Sequence, residues 1–247
     1  MRRINGDRNL AGRILVELRE AIVSGELPPG TLYSVHDLAA RLGVSRTPVR
    51  EALLSLADRG MVRFERNRGI RILQTSIRDL EEIFELRLLL EVPATYRATQ
   101  LMSARALNAL RAHLEGMERA AARGDEDRLW ERDRRFHMTI NETSGNTRLA
   151  GYVDQLRDVV LLRGVSTARS SRSIAAIIEE HREILEYIEV GDAEGAASAM
   201  RAHLCTTARL LAGQEADEGG DGELSLDWTA WFTPPGSSDP ESPDIPQ

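Results

Sequence analysis

The chain contains no lysine, one cysteine and no long apolar run, and each shortage limits what it can be. All side-chain positive charge apart from histidine therefore lies on the 32 arginines of its 247 residues. The single Cys205 excludes an internal disulfide, which fits a reducing cytoplasm. No apolar stretch of about eighteen residues is available to cross a bilayer, and the charged N-terminus lacks the apolar segment of a secretory signal. We therefore expect a cytoplasmic protein without membrane contact.

Charge is distributed unevenly along the chain. Residues 1–75 carry 13 Arg against 8 Asp or Glu, a net charge of +5, whereas residues 76–247 carry 19 Arg against 31 Asp or Glu, a net charge of −12. A basic segment joined to an acidic one favours an anionic partner for the basic segment alone. Nucleic acid is the partner that we expect.

Residues 1–75, called the head here, have the pattern of three helices followed by a hairpin. Apolar residues recur at helical spacing in residues 9–24, 35–42 and 47–59, and a glycine follows each segment. The stretches "MVRFE" and "IRILQ" alternate apolar and polar residues around "RNRG", which predicts a two-stranded hairpin. The second and third helices, joined by "LGVSR", are typical of a helix-turn-helix DNA-binding domain.

The third predicted helix would lie in a DNA major groove, with its N-terminal residues at the base edges. Ser45 is placed to cap this helix. Together with Arg46, Thr47 and Arg50 in the first turns, it offers hydroxyl and guanidinium groups that can bind guanine or phosphate.

The tip of the predicted hairpin is a second candidate for DNA contact. Arg66 and Arg68 flank Asn67, and Gly69 permits a close approach of the backbone. Such a tip forms a wing that suits a minor groove or the sugar–phosphate edge.

The segment "IVSGELPPGTLYSVHDLAARLGVSRTPVREALLSLADRGMVRFERNRGIRI" closely resembles the winged helix-turn-helix of the GntR family of bacterial transcription regulators. The matching residues include Gly25, Pro29, Gly30, Leu38, Ala39, Leu42, Gly43, Val44, Ser45, Arg46, Val49, Arg50, Ala52, Leu53, Gly60 and Gly69. The resemblance implies that His36, Arg46, Thr47, Arg50 and the wing tip from Arg66 to Gly69 face DNA. Relatives often have Arg or Glu where this chain has His36, so a surface histidine without a DNA contact is the alternative there.

Residues 76–212, called the body here, read as helical throughout. We predict helices near 77–99, 104–123, 126–143, 147–163, 170–190 and 193–212, with Pro93 causing a kink or a late start in the first. The predicted fold class is therefore mostly α: a winged helix-turn-helix followed by an all-α antiparallel helical bundle.

Residues 213–247 contain nine Asp or Glu and no Arg, which predicts a disordered acidic tail. The tail includes Trp228, Trp231 and Phe232 within "LSLDWTAWF". This segment either folds back onto the body or docks onto a partner, and the sequence favours the first.

Two residues of the third body helix raise the question of a metal site. Asp133 and His137 are four residues apart, so they share one helix face with Cβ atoms about 6 Å apart, as a surface pair or as half of a site. His181 and His203 lie on apolar stripes that should face the core, where each needs a partner such as a backbone carbonyl or a metal. Together the one Asp and three His suit Zn²⁺ best, with Ni²⁺ and Mn²⁺ as alternatives.

The same residues lie in motifs that resemble the FCD ligand-binding domain of the FadR-like branch of GntR regulators. These motifs are "ELRLLLE", "DRRFH", "SGN", "EEHREIL" and "GDAEGAASAMRAHL", spread over about residues 77–212. In metal-binding members an Asp and three His hold a divalent ion at the bottom of an effector pocket, and all four matching positions are filled here.

The resemblance also implies a small carboxylate effector that touches the metal. Arg87, Asn146 and Arg157 are its candidate polar partners. For Asn146 a helix cap is an equal alternative, and for Arg157 a surface position is. His113 matches no ligand position, and we assign it to the surface.

The sequence therefore predicts a metabolite-responsive transcription regulator, by default a repressor, and not an enzyme. Two-fold symmetry of a homodimer would match a pseudo-palindromic double-stranded DNA operator. One alternative is a metalloenzyme whose Asp/His₃ site activates water, but the general base and oxyanion stabiliser that it needs are not evident. Another is a regulator in which the metal is purely structural.

Overall fold

The structure, a computed structural model, describes residues 8–74, 76–161 and 173–216. Within these ranges lie, in chain order, α1 (Arg8–Val23), β1 (Leu32–Tyr33), α2 (Val35–Leu42), α3 (Arg46–Asp58), β2 (Val62–Glu65), β3 (Gly69–Ile72), α4 (Ile77–Gln100), α5 (Ala104–Arg123), α6 (Glu126–Thr143), α7 (Thr147–Leu161), α8 (Ile174–Val190) and α9 (Ala193–Ala216). The predicted class, a winged helix-turn-helix followed by a helical domain, is confirmed. No helix among the described residues combines the length and apolarity needed to cross a membrane.

The head is built from α1 to α3 and a small sheet. The strands are antiparallel in the order β1-β3-β2, with Val62 opposite Ile72 and Glu65 opposite Gly69. The sequence predicts only the hairpin of β2 and β3, because β1 is two residues long and too short to show alternation. The apolar faces of the helices and strands pack into one core, which includes Ile14, Leu18, Leu38, Val49, Leu53, Met61 and Ile70.

Gly69 fixes the path of the wing where β3 begins. Its φ of +126° is a conformation that side chains rarely adopt, and a Cβ atom there would overlap the carbonyl oxygen of Tyr33. The absence of a side chain therefore lets β3 lie directly against β1. This contact holds the wing tip, Arg66 to Arg68, at the end of a paired hairpin.

The body has its own core, separate from that of the head. In it α9 packs along α4 and α8, and α5 packs along α6. The buried apolar residues include Leu80, Phe84, Leu88, Leu110, Met117, Phe136, Ile184, Leu185 and Leu204. The apolar stripes from which the helices were predicted are the surfaces that meet in this core.

Most predicted helix bounds agree with the structure, and four details differ. Helix α4 begins at Ile77 behind a capping box of Ser76 and Asp79, so Pro93 lies within the helix and does not delay its start. Ser45 occupies the N-cap position of α3, but its side chain makes no capping hydrogen bond. Helix α9 continues to Ala216, four residues into the predicted tail, and α8 begins at Ile174 behind its N-cap Ser173, whereas its predicted start at residue 170 lies outside the described residues. Trp228, Trp231 and Phe232 lie outside the described residues.

The head and the body meet at α7. Asp158 of that helix accepts hydrogen bonds from Arg19 Nε at 2.8 Å and Arg59 Nη1 at 2.7 Å, both in the head, and from Arg134 Nη1 of α6 at 2.5 Å. The next residue, Val159, packs against the core of the head. Two consecutive residues of α7 thus make a charged and an apolar contact with the head.

Candidate metal centre and DNA interface

Three histidines from three helices converge inside the body. His137 of α6, His181 of α8 and His203 of α9 are all buried, and each offers a ring nitrogen within 4.8 Å of those of the other two. The ring centroids are separated by 5.3 Å for His137 and His181, 5.2 Å for His137 and His203, and 4.7 Å for His181 and His203. We call this group the histidine cluster.

The helical patterns of the sequence account for this convergence. His137 lies between Phe136 and Ile140 on the buried face of α6, and His181 lies between Ile177 and Ile184 on that of α8. His203 precedes the buried Leu204 in α9. Because each imidazole occupies an inward position of an apolar stripe, packing the stripes brings the rings together.

Each imidazole of the cluster is held through its Nδ1 atom. Nδ1 of His137 lies 2.9 Å from Glu91 Oε2, Nδ1 of His181 lies 2.7 Å from the carbonyl oxygen of Ile177, and Nδ1 of His203 lies 2.7 Å from Glu180 Oε2. Histidines that bind metals donate their other ring N–H to such carboxylates and carbonyls, which fixes the tautomer and the ring orientation. The Nε2 atoms are thereby left as the metal-binding positions.

The Nε2 atoms of His137 and His181 have no hydrogen-bond partner among the described residues, although both atoms are buried. Nε2 of His181 lies 3.0 Å from Asp133 Oδ1 without forming a hydrogen bond. Because Nδ1 of His181 donates to a carbonyl, Nε2 is the ring atom that faces the carboxylate oxygen. A cation at this point would be bound by both atoms.

Asp133 lies beside the cluster and is not one of the three residues whose ligand atoms all lie close together. Its Oδ1 faces His181, and its Oδ2 pairs with Arg157. The four predicted ligands are thus neighbours, but the carboxylate also has an arginine partner.

The charges around the cluster favour the protonation states that metal binding requires. Burial and the positive charge of Arg157 lower the pKa of His137 to about 3, so its ring is neutral at physiological pH. Burial alone would raise the pKa of Asp133, but Arg157 and the neighbouring imidazoles hold it well below its usual value. His137 therefore presents a neutral imidazole and Asp133 an ionised carboxylate, as metal binding requires.

Two of the three candidate effector partners lie at the cluster. Arg157 pairs with Asp133, and Arg87 donates through Nε to Glu91 Oε1 at 2.6 Å, so that Arg87, Glu91 and His137 form a chain. Asn146 is exposed, and its Oδ1 accepts the backbone N–H of Leu149 at 3.1 Å. This position does not fit a role in the buried site, and Asn146 is the cap of α7.

His113 is not the plain surface residue that the sequence suggests. It is half-buried on α5, and its Nδ1 is buried without a hydrogen-bond partner in the described part of the chain. Burial and the nearby charge of Arg132 lower its pKa. It lies outside the histidine cluster.

Sequence reasoning missed three buried or half-buried polar groups of the site. Glu91 and Glu180 hold two of the imidazoles, and Asn141 lies one helical turn beyond His137. The sequence did indicate Asn141, because this residue continues the four-residue spacing of Asp133 and His137 along the same helix face. The roles of Glu91 and Glu180 depend on how different helices pack against each other. The positions of these residues along the chain do not determine that packing.

The predicted DNA-contacting residues of the helix-turn-helix share one property, exposure to solvent: His36, Ser45, Arg46, Thr47 and Arg50. The last of these, Arg50, has its guanidinium carbon 5.7 Å from the centre of the Phe64 ring in β2. This contact connects the start of α3 to the wing. The arginines of α3 and those of the hairpin therefore lie on connected parts of the head.

The wing tip keeps its polar groups exposed. Asn67 has a φ of +59°, the left-handed conformation that Asn tolerates in tight turns. Arg66, Asn67 and Arg68 are exposed, and Arg68 forms an ion pair with Glu65 at 3.1 Å. Gly69 lies behind them against β1.

Comparison with known families gives two matches. Residues 10–72 match the model described as bacterial regulatory proteins of the gntR family, and residues 82–206 match the FCD domain. The second match alone covers half of the chain, and it contains the histidine cluster.

Relatives and solved structures agree with these matches. The gluconate operon transcriptional repressor of Bacillus subtilis is 30% identical over 185 residues, which cover 73% of this chain and 76% of the relative. An uncharacterised HTH-type transcriptional regulator of Streptomyces ambofaciens is 30% identical over 211 residues, covering 83% and 85%. The structure of McbR/YncC from E. coli superposes with a TM-score of 0.74 at 25% identity, covering 84% of this chain and 99% of that one.

Proposed function

Because this chain belongs to the GntR family of bacterial transcription regulators and carries an FCD domain, we propose that a small carboxylate bound with a divalent metal ion in its body controls how its head binds an operator. The observation that carries the proposal is the way in which the three imidazoles of the cluster are held. Each has its Nδ1 fixed by an acceptor, and the buried Nε2 atoms of His137 and His181 have no hydrogen-bond partner within residues 8–74, 76–161 and 173–216.

His137, His181 and His203, with Asp133 beside them, are the residues that would hold the ion. Three imidazoles and a carboxylate suit Zn²⁺ best, and Ni²⁺ or Mn²⁺ are the alternatives. The ion would supply a coordination position for one carboxylate oxygen of the effector. Arg157 is placed to neutralise charge at this position, since it already pairs with Asp133.

A hydroxylated carboxylate is a reasonable first effector to test. The gluconate operon repressor of Bacillus subtilis has gluconate in its name, and it is similar to this chain over three quarters of its own length. We further propose a homodimer, because two copies related by a two-fold axis would place two α3 helices on the half-sites of one pseudo-palindromic operator. Repression is the expected mode, in line with the repressors among the relatives.

The sensing function is tested by the operator affinity of the full chain in three states. DNA is first selected from a random duplex pool with the wild-type protein, and its affinity is then measured by fluorescence anisotropy for metal-free protein, zinc-loaded protein, and zinc-loaded protein with gluconate and other small carboxylates. We expect at least one carboxylate to change the affinity at least about fivefold, and only when zinc is present. By linkage, operator DNA should change the affinity for that carboxylate by the same factor.

The alternatives give different results in the same experiment. A purely structural ion would raise the melting temperature, but no carboxylate would change operator binding. Zinc that neither binds nor stabilises the protein would contradict the metal site itself.

The DNA-binding surface is tested by single arginine substitutions. Arg46→Ala and Arg50→Ala each remove a guanidinium from the exposed N-terminal part of α3. We expect each to weaken binding of the selected operator about 10- to 100-fold, or about 1–3 kcal/mol, while the melting temperature stays near that of the wild type. The matched control is Arg105→Ala, which removes the same charge from an exposed position on α5 of the body. Equal operator affinity for all three variants would contradict the assignment of α3 as the recognition helix.

A further inference from the structure

A polar stripe extends the histidine cluster along α6. Asp133, His137 and Asn141 follow each other at four-residue spacing on one face of this helix, and all three are buried. Only 1% of the surface of Asn141 is exposed to solvent. The stripe therefore continues from the proposed metal ligands into the body and not towards solvent.

The amide of Asn141 is unsatisfied at both ends among the described residues. Neither Nδ2 nor Oδ1 makes a hydrogen bond with any described residue. Apart from Nδ1 of His113 on α5, the remaining buried side-chain atoms without a partner in the described ranges are the Nε2 atoms of His137 and His181. Unsatisfied polar atoms are unfavourable in a protein interior, and here they concentrate at one place.

The facing helix does not satisfy this amide. Helices α4 and α6 run in the same direction, because Glu91 meets His137 and, further along both, Arg97 donates to the carbonyl oxygen of Ser144 at 2.8 Å. Thr95, one turn beyond Glu91, is the residue of α4 at the level of Asn141. Its hydroxyl donates to the carbonyl oxygen of Glu91 at 2.8 Å, so this hydrogen is not available to the Asn141 amide.

We propose that Asn141 binds the effector through a hydroxyl group, and that the ligand is therefore a hydroxycarboxylate. This inference rests on the proposed function: the carboxylate of the ligand would meet the ion at the histidine cluster, and Asn141 would bind a second group one helical turn away. A primary amide both donates and accepts. A hydroxyl satisfies both ends, since it accepts from Nδ2 and donates to Oδ1, whereas a second carboxylate accepts only and leaves Oδ1 unsatisfied.

The test compares pairs of acids that differ in hydroxyl groups: L-lactate and propionate, L-malate and succinate, citrate and tricarballylate, D-gluconate and hexanoate. Binding of each to the zinc-loaded full chain is measured by isothermal titration calorimetry for the wild type, Asn141→Leu and Asn141→Ala. Leu has a similar volume and no polar group to satisfy, and Ala is the second variant should Leu not fit. Asn108→Leu, at an exposed position of α5, is the matched control.

We expect at least one hydroxy acid to bind the wild type and the control at least about tenfold more tightly than its partner without the hydroxyl. In the Asn141 variants this preference should fall at least about tenfold, while the zinc content stays at the wild-type value. The melting temperature of Asn141→Leu without ligand should equal or exceed that of the wild type, because the substitution removes an unsatisfied amide.

Three outcomes would overturn the inference: no preference within any pair, a preference that survives in the Asn141 variants, or no binding of any acid. A hydroxyl that only chelates the zinc gives the second of these outcomes. Failure of the proposed function is distinguishable, because either zinc would not bind the wild type or no acid would bind the zinc-loaded wild type. Binding of acids without a hydroxyl preference would overturn the role of Asn141 alone.

Discussion

Replacing His181 with alanine is expected to lower the affinity for zinc at least about a hundredfold. Loss of a residue that only orients a metal ligand weakens binding by about 10- to 100-fold, and loss of a direct ligand should cost more. The ring of His181 contacts those of His137 and His203, and its Nε2 faces Asp133, so it has all three other predicted ligands as neighbours. Its loss would remove one imidazole and also leave Asp133 without a neighbour on that side.

The measurement is the gain in stability that zinc gives to each variant. At a free zinc concentration of about 100 times the wild-type Kd, the wild type should gain about 2.7 kcal/mol, whereas a hundredfold weaker variant gains about 0.4 kcal/mol. Comparing each protein with and without zinc removes the separate effect of deleting a buried ring. Metal content after dialysis gives an independent readout.

His113→Ala is the matched control, because it deletes a half-buried imidazole that lies on α5 outside the cluster. It should keep the full zinc-dependent gain. Equal gains for His181→Ala and His113→Ala would show that the cluster holds no ion, and the sensing half of the proposal would then fail. The assignment of the head as a DNA-binding domain would stand.

The sequence predicted the members of the cluster because each lies within one helix pattern. The spacing of Asp133 and His137 placed both on one helix face, and the apolar stripes around His181 and His203 turned their rings inwards. These are local properties, set by 3.6 residues per turn and by burial of the apolar side. The winged helix-turn-helix was predictable for the same reason, from its caps, glycines and hairpin.

The remaining features depend on packing between distant segments. Glu91 meets His137 across 46 positions of the chain, and Arg19 meets Asp158 across 139. The periodicity within one helix cannot predict which carboxylate lies opposite which cation, because that pairing depends on the register of one helix against another. Asn146 shows the converse: the sequence allowed both a cap and an effector partner, and only its exposed position separates them.

Consecutive residues of α7 connect the surroundings of the histidine cluster to the head. Arg157 pairs with Asp133 of the site, Asp158 binds Arg19 and Arg59 of the head, and Val159 packs against the core of the head. A change in the partner of Arg157 therefore acts on the helix that carries the contacts between the two units. This arrangement supplies a physical route for the proposed control of DNA binding.

Replacing Asp158 with alanine should consequently destabilise the protein by about 2–3 kcal/mol and weaken the coupling of head and body. The carboxylate is fully buried and accepts from Arg19, Arg59 and Arg134, so its removal takes one acceptor from each of three guanidiniums. Breaking a fully buried ion pair costs about 3–5 kcal/mol. The arginine side chains here are 22–28% exposed and can turn partly to water, which places the expected loss below that range.

Urea unfolding of Asp158→Ala measures this loss, and Asp154→Ala is the matched control. Asp154 lies one turn earlier on α7, is 23% exposed, and contacts Arg134 at 2.5 Å and Arg59 only at 3.9 Å. Its removal should cost less than about 1 kcal/mol, as expected for a partly solvated pair. Calorimetry should also resolve separate transitions for head and body in Asp158→Ala if this residue couples them.

The pH dependence separates the charge of Asp158 from its packing. Burial opposes ionisation, but Arg134 and Arg19 lower the pKa of Asp158 below its usual value of 3.8 in the folded protein. The ion pairs therefore contribute their full stability above that usual value, and the contribution is lost as the pH falls through the lower pKa of the folded state. The difference in unfolding free energy between wild type and Asp158→Ala should be constant near neutral pH and shrink below about pH 4. A difference that is the same at pH 7 and pH 3, or no larger than that of Asp154→Ala, would contradict a charged link between head and body at this residue.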